Sequence, residues 1–199
     1  MRKFRVFMDI EKEENWLNAM AEKGWLCTRV SSLGYYHFEK RAESDHVIRI
    51  DYQSFKSKEA KERYIELYED YGWKYLGGSY LHYWLKPADG MDELFSDRSS
   101  EKAYLKRLLS YYGTLGFSMV FMTFLLFNNS AQYTSLKQAY FTPGLWDKEG
   151  SDFVFVFLFE TPFALMRFGM PWLFFVFGIA FVMMYLKFHK KIKEGQEPG

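Results

Sequence analysis

Two long uncharged runs dominate the back half of this chain. Residues 108–127 read LLSYYGTLGFSMVFMTFLLF and residues 168–186 read FGMPWLFFVFGIAFVMMYL, with no Asp, Glu, Lys or Arg in either. A bilayer core roughly 30 Å thick takes about 20 apolar residues of helix at 1.5 Å rise each, and a helix satisfies its own backbone polar groups inside such a segment. The pattern predicts membrane-spanning helices at 108–127 and 168–188. The front half patterns on a shorter scale. Residues 3–10 alternate, with Phe4, Val6 and Met8 apolar, as a strand does. Residues 11–23 carry Trp16, Leu17, Met20 and Ala21 at helical spacing among charges, and Gly24 sits where a helix C-terminus favours a left-handed residue. Residues 25–31 and 35–40 then read as a hairpin around Ser32-Leu33-Gly34.

The same order returns. Residues 46–52 alternate, 58–71 carry Tyr64, Ile65 and Tyr68 on one stripe ahead of Gly72, and 73–76 with 80–86 form a second hairpin around Gly77-Gly78-Ser79. Trp16, Leu17, Met20, Gly24 and Trp25 correspond at a spacing of 48 to Tyr64, Ile65, Tyr68, Gly72 and Trp73, and the first strands at a spacing of 42, placing Asp9 against Asp51. A duplicated β-α-β-β unit is expected, repeat 1 over 3–41 and repeat 2 over 46–87, since two copies bury a sheet face that one leaves open. The resulting fold class is an α+β domain over 1–96 followed by an α-helical transmembrane hairpin. Polar residues 87–101 act as a linker. Residues 97–107 form the remaining linker and a juxtamembrane helix, with Ser99 or Ser100 as its cap.

Charge adds orientation. The net charge is +1, and residues 1–104 hold 17 Lys/Arg against 19 Asp/Glu, so the front half has no basic field for phosphate neutralisation. Direct nucleic-acid binding is not expected. Lys102, Lys106 and Arg107 precede the first run, and Lys187, Lys190, Lys191 and Lys193 follow the second. The positive-inside rule then puts both termini and the 189–199 tail in the cytoplasm and 128–167 outside, in a two-span protein of the cell membrane. The opening MRKFRVFMDIEKEEN has no apolar h-region and is not expected to be a signal peptide. The lone Cys27, in an apolar stretch, reads as a buried thiol in a reducing compartment. Asn128-Asn129-Ser130 matches a glycosylation sequon, a short pattern with little weight.

Candidate chemistry is sparse. No nucleophile elbow, phosphate loop or zinc spacing occurs, and His37, His46, His82 and His189 lack metal-ligand spacing, so no catalytic residue, cofactor or metal is assigned and an enzyme is not expected. The aromatic residues of the front half read first as core, and Trp16, Trp25, Tyr64, Trp73 and Trp84 also as the wall of a cleft between the repeats for a small hydrophobic or cationic ligand. Asp9 and Asp51 read first as helix caps, and otherwise as flanks of that cleft. Outside, residues 153–167 are too apolar for a solvated loop. They either lie in the interface as a helix broken at Pro162 or dip into the bilayer and return. Glu160 and Arg167, seven apart, form a candidate membrane-interface pair.

The segments FMDIEKEENWLNAMAEKGW, YYHFEKR, IRIDYQ and YEDYGWKYLGGSYLHYWLKPAD, ahead of a membrane hairpin, resemble the DUF2812 family of Firmicutes. That family's name assigns no function and carries no catalytic residues over. The resemblance implies a genomic neighbourhood with PadR-type transcriptional repressors, some of which control multidrug transporters and responses to envelope-active compounds. The expected function is a non-enzymatic membrane regulator or sensor in envelope-stress or drug response. Its cytoplasmic domain would bind a protein partner such as a PadR-type repressor, or a small ligand. The alternative expectation is an accessory subunit of a membrane transporter.

Overall fold

A computed structural model describes residues 1–31, 33–41, 46–88, 92–95, 97–129 and 133–194. Ser32 of the first hairpin turn, Ser130 of the sequon and the tail beyond Glu194 lie outside the described residues. The chain divides into two compact units, the first running from Met1 to Leu108 and the second from Leu109 onward.

The first unit contains β1 (Arg2–Phe4), α1 (Ile10–Glu22), β2 (Trp25–Val30), β3 (Tyr35–Lys40), β4 (His46–Tyr52), α2 (Lys58–Asp70), β5 (Lys74–Gly77) and β6 (Leu81–Pro87), and ends in the first turns of α3 (Arg98–Asn129). Its strands form two three-stranded antiparallel sheets, ordered β1-β3-β2 and β4-β6-β5. Each sheet has its bulge at the same place, between Cys27 and Arg29 in one and between Tyr75 and Gly77 in the other. The architecture is the expected duplication, with one correction. Lys3 pairs with Tyr36 and Asp51 with His82, so the first strands also correspond at 48 and Asp51 stands where repeat 1 has Lys3. The spacing of 42 fails because β1 is only three residues long: beyond it the chain turns off the sheet, leaving Val6 71% exposed. The equivalent of Asp9 is Ser57. Both are N-caps, Asp9 accepting from the Glu11 N–H and Ser57 from that of Ala60.

The helices close in the same way, at glycines with φ of +76° (Gly24) and +82° (Gly72), where a side chain would be strained. Leu17, Leu26, Cys27, Phe38, Ile48 and Trp84 lie at the centre of the core. The repeats differ in what their helices cover. The Asn18 amide of α1 donates to the Ile48 carbonyl at 3.1 Å and accepts from its N–H at 2.8 Å, and Glu14 accepts from the Ile50 N–H at 3.0 Å. Side chains thus replace a neighbouring strand along the free edge of β4, which would otherwise offer unpaired backbone. The equivalents on α2, Glu62 and Glu66, are exposed, and no residue of α2 is fully buried.

The second unit holds the rest of α3, two turns of 3-10 helix (Lys137–Ala139 and Leu145–Asp147) and α4 (Gly150–Glu194). Both α3 and α4 are long and apolar enough to cross a membrane. They pack antiparallel at small residues: a Cβ on Gly116 would lie 2.9 Å from the Val182 nitrogen, and one on Gly178 2.9 Å from Val120 Cγ2. Thr123 donates to the Met119 carbonyl at 2.9 Å and reaches the Pro171 carbonyl at 3.4 Å. Further along, Phe127 meets Trp172. Close backbone approach of this kind suits helices that associate by packing rather than by the hydrophobic effect. The expected break at Pro162 is absent: α4 runs 45 residues through Pro162 and Pro171, roughly 67 Å at 1.5 Å per residue. Neither a broken interfacial helix nor a segment that dips and returns describes 153–167. The helix is held on both sides of Pro162, because residues 139–142 bind Glu160, Thr161 and Arg167.

Candidate functional site

Each repeat builds an aromatic cluster on one plan. In repeat 1, Trp16 lies 5.3 Å from Phe7, 5.0 Å from Tyr36 and 5.6 Å from Phe38. In repeat 2, the equivalent Tyr64 lies 4.8 Å from Phe55, 5.6 Å from His82 and 5.6 Å from Trp84. The five aromatic residues expected to wall one cleft are therefore dispersed. Trp16 belongs to the first cluster and Tyr64 with Trp84 to the second, while Trp25 is half-exposed at the start of β2 and Trp73 is buried. The repeats meet through α1 against β4 and β2 against β5, with Tyr36 and Tyr83 edge to face at 6.4 Å, so the Trp16 and Tyr64 clusters do not share one wall.

Two buried carboxylates take over where repeat meets repeat and sheet meets helix. Glu13, 3% exposed, accepts hydrogen bonds at Oε1 from Tyr36 of repeat 1 at 2.5 Å and Tyr83 of repeat 2 at 2.6 Å. Burial raises its pKa, and the two phenols offset only part of that rise. Asp51, 1% exposed, accepts from Tyr64 at 2.6 Å and from Arg107 at 3.0 Å. Its carboxyl too is raised by burial, against the hydrogen bond from Tyr64 and the Arg107 charge. Asp51 is thus no helix cap: it lies inside a strand, and its partner Arg107 also donates to the Tyr52 carbonyl at 2.9 Å. The first turns of α3 are tied to the end of β4 through this guanidinium. Spacing could not reveal Glu13, an acidic residue on an amphipathic helix like its neighbours. Its only sequence signal is its place one turn ahead of Leu17, on the buried face.

His82 is buried and neutral. Burial pushes its pKa down to about 4, and since the Gln53 carbonyl 3.1 Å from Nε2 can only accept, the proton sits on Nε2 while Nδ1 faces the Tyr75 hydroxyl.

A cavity of about 340 Å³ opens beside α2 and the start of α3. Leu67 and Tyr68 of α2, its C-cap Tyr71, Trp73 and Lys86 form one side, and Glu93, Leu94, Phe95, Asp97 and Ser100 the other. Tyr68 is fixed by stacking on Trp84 at 4.7 Å. The Lys86 ammonium lies 5.8 Å over the Trp73 ring, and Phe95 packs on Tyr104 at 5.1 Å. Asp97, not Ser99 or Ser100, caps α3: its Oδ1 accepts from the Ser100 N–H at 2.9 Å, and its carboxylate from both serine hydroxyls. Hydrogen bonds from Ser100 and Ser99 hold its pKa at about 2, so this carboxylate is charged at every physiological pH.

In the second unit, Glu160 and Arg167 do meet, at 3.2 Å. Glu160 also accepts from the backbone N–H groups of Phe141 and Thr142. Arg167 donates to the Ala139 carbonyl at 2.6 Å and lies 4.0 Å over the Phe141 ring. Glu160 and Arg167 both hydrogen-bond residues 139–142, so the pair binds a loop to its helix. Among the described residues no group of three or more His, Cys, Asp or Glu side chains is placed to hold a metal ion.

No curated protein matches the chain, and no solved structure matches it either. One family model does, described as a protein of unknown function (DUF2812), and it spans both repeats except β1 and reaches into α3. Because that match covers residues 9–117, more than half of the sequence, the chain belongs to the DUF2812 family.

Proposed function

We propose that this chain is a non-enzymatic membrane regulator. On this reading α3 and α4 form a two-span hairpin in the cell membrane with both termini cytoplasmic. The unit from Met1 to Leu108 binds a protein partner, a PadR-type repressor, or a small hydrophobic ligand, in response to envelope stress or drugs. The observation that carries it is the tie from Arg107 to Asp51 and the Tyr52 carbonyl. The helix apolar enough to enter a membrane is thereby hydrogen-bonded into the sheet of repeat 2. An exposed arginine–carboxylate pair contributes little, but Asp51 is buried, and a buried carboxylate deprived of its cation is strongly destabilised. The state of α3 and the state of that sheet are therefore linked. A second reading, an accessory subunit of a membrane transporter, is favoured by the apolar face that α4 leaves uncovered at Phe155, Leu158, Phe159 and Met166.

Cross-linking in intact cells followed by purification of a tagged chain from membranes separates the two. A repressor recovered with the wild type and lost with Arg107→Ala, at equal membrane levels of the protein, is the expected outcome. Transporter subunits in its place favour the second reading, and recovery of neither overturns the second reading and the protein-partner branch of the first.

A further inference from the structure

The repeat itself shows which residues around the 340 Å³ cavity the fold does not need. At a spacing of 48, Leu67 of α2 and its C-cap Tyr71 stand where α1 has Ala19 and its C-cap Lys23. Both helices close at the same glycine in the same backbone conformation, so repeat 1 demonstrates that a small residue and a lysine suffice there. Repeat 2 instead presents a leucine 52% exposed and a tyrosine ring 71% exposed at the mouth of a cavity. Exposed apolar groups gathered at a concavity, rather than scattered singly, mark a binding surface.

The charges define what fits. Among the described residues three charged side chains line the cavity: Glu93 and Asp97, both exposed at its rim, and Lys86. The lysine already lies over the Trp73 face, so its charge is directed to a ring of the protein. The remaining field is that of two carboxylates above a floor of aromatic rings, the arrangement that attracts positive charge on a flat apolar body. We propose that this cavity binds a flat aromatic organic cation, stacked against Tyr71 with its charge toward Glu93 and Asp97. The volume, at the small end of ligand sites, admits a body of about three fused rings. Asp97 also caps α3, so the site touches the helix that leaves this unit. The proposal names the ligand class for the small-ligand branch of the regulatory reading, and rests on that reading for its consequence but not for binding.

The test uses the full-length chain in lipid nanodiscs, with empty nanodiscs as the partition control. Three probes share a three-ring body: 10-methylacridinium (cationic), acridine at pH 8 (neutral) and anthracene-9-carboxylate (anionic). The expected result is saturable binding of 10-methylacridinium, roughly tenfold tighter than of the anionic probe. Tyr71→Ala and Glu93→Gln, both at exposed positions, should each weaken it about three- to fivefold, while Lys23→Ala at the equivalent place in repeat 1 leaves it unchanged. No saturable binding above empty nanodiscs, equal binding of all three probes, or preference for the carboxylate overturns the proposal. So does unchanged binding by Glu93→Gln, which decides the matter even if Tyr71→Ala fails to fold. Loss of the cation site with repressor capture intact sinks this inference and leaves the regulatory reading standing. Cation binding without any protein partner leaves this inference standing and overturns the protein-partner branch of that reading.

Discussion

At the scale of single residues, the first unit places ionisable groups where charge is costly and surrounds them with hydroxyls and carbonyls. His82 gives the clearest consequence. Its folded pKa, about 4 against an ordinary 6.5, means that the unfolded chain takes up a proton in that interval and the folded one does not. Stability contributed by the neutral ring is fully present above pH 6.5 and drains as pH falls toward 4. Thermal unfolding of the full-length chain followed by circular dichroism should show the wild type losing at most about 3 kcal/mol across that window. His82→Gln retains an N–H for the Gln53 carbonyl and should flatten the dependence; an equally steep profile in that variant would assign the loss to other groups. Glu13 pulls the other way. Its raised carboxyl holds a proton more readily in the folded state, so its contribution grows as pH falls toward 4.5. Reading such residues from sequence fails because Tyr83, one of the two phenols that donate to Glu13, lies 70 positions away.

Elements repeat, and the repeat allows matched substitutions. Gly24 and Gly72 have the same left-handed backbone, which costs alanine about 1 kcal/mol. Their surroundings differ: a Cβ on Gly24 would lie 2.9 Å from the Arg41 carbonyl oxygen, whereas on Gly72 the nearest atom is Lys86 Cε at 3.7 Å. Gly72→Ala should therefore cost about 1 kcal/mol and Gly24→Ala clearly more. Equal melting shifts would mean that the Arg41 strand end yields freely. The tryptophans that follow these glycines diverge in the opposite sense. Trp73 is 5% exposed and its truncation to Ala should cost about 3–5 kcal/mol. Trp25, equivalent in sequence, is half-buried and should cost less. The helices and hairpins were legible because their signals are local: period, cap and turn glycine. The extent of β1 was not, because Phe4 and Val6 alternate with polar residues as a strand does, yet both are exposed and the strand ends at Phe4.

For the molecule as a whole, the charges beside the apolar helices favour an arrangement with both termini inside. A reporter active only outside the membrane should work when fused after Gln138 and fail at Arg98 and at the C-terminus; activity at either of the latter reverses the assignment. The uninterrupted α4 adds a constraint. A helix of roughly 67 Å is about twice a bilayer core, so only part of it spans on this reading. The stretch paired with α3, from Pro171 to Phe188, matches the second uncharged run. The preceding stretch carries the Glu160–Arg167 clamp.

What the sequence determined by itself is whatever rests on neighbours in the chain. Two uncharged runs prescribe two apolar helices, a period of 48 prescribes two like units, and each closing glycine marks a helix end. Even the Glu160–Arg167 pair was within reach, since seven residues are two helical turns. Tertiary structure decided whatever depends on partners distant in sequence. Asp51 became the anchor of α3 rather than a helix cap because Arg107, 56 positions on, reaches it. α4 remained whole at Pro162 because residues 139–142 take up the polar groups around it. The aromatic residues became two clusters and a cavity rather than one cleft, because which faces the repeats turn to each other is set by the fit of packed surfaces, a property no local pattern encodes.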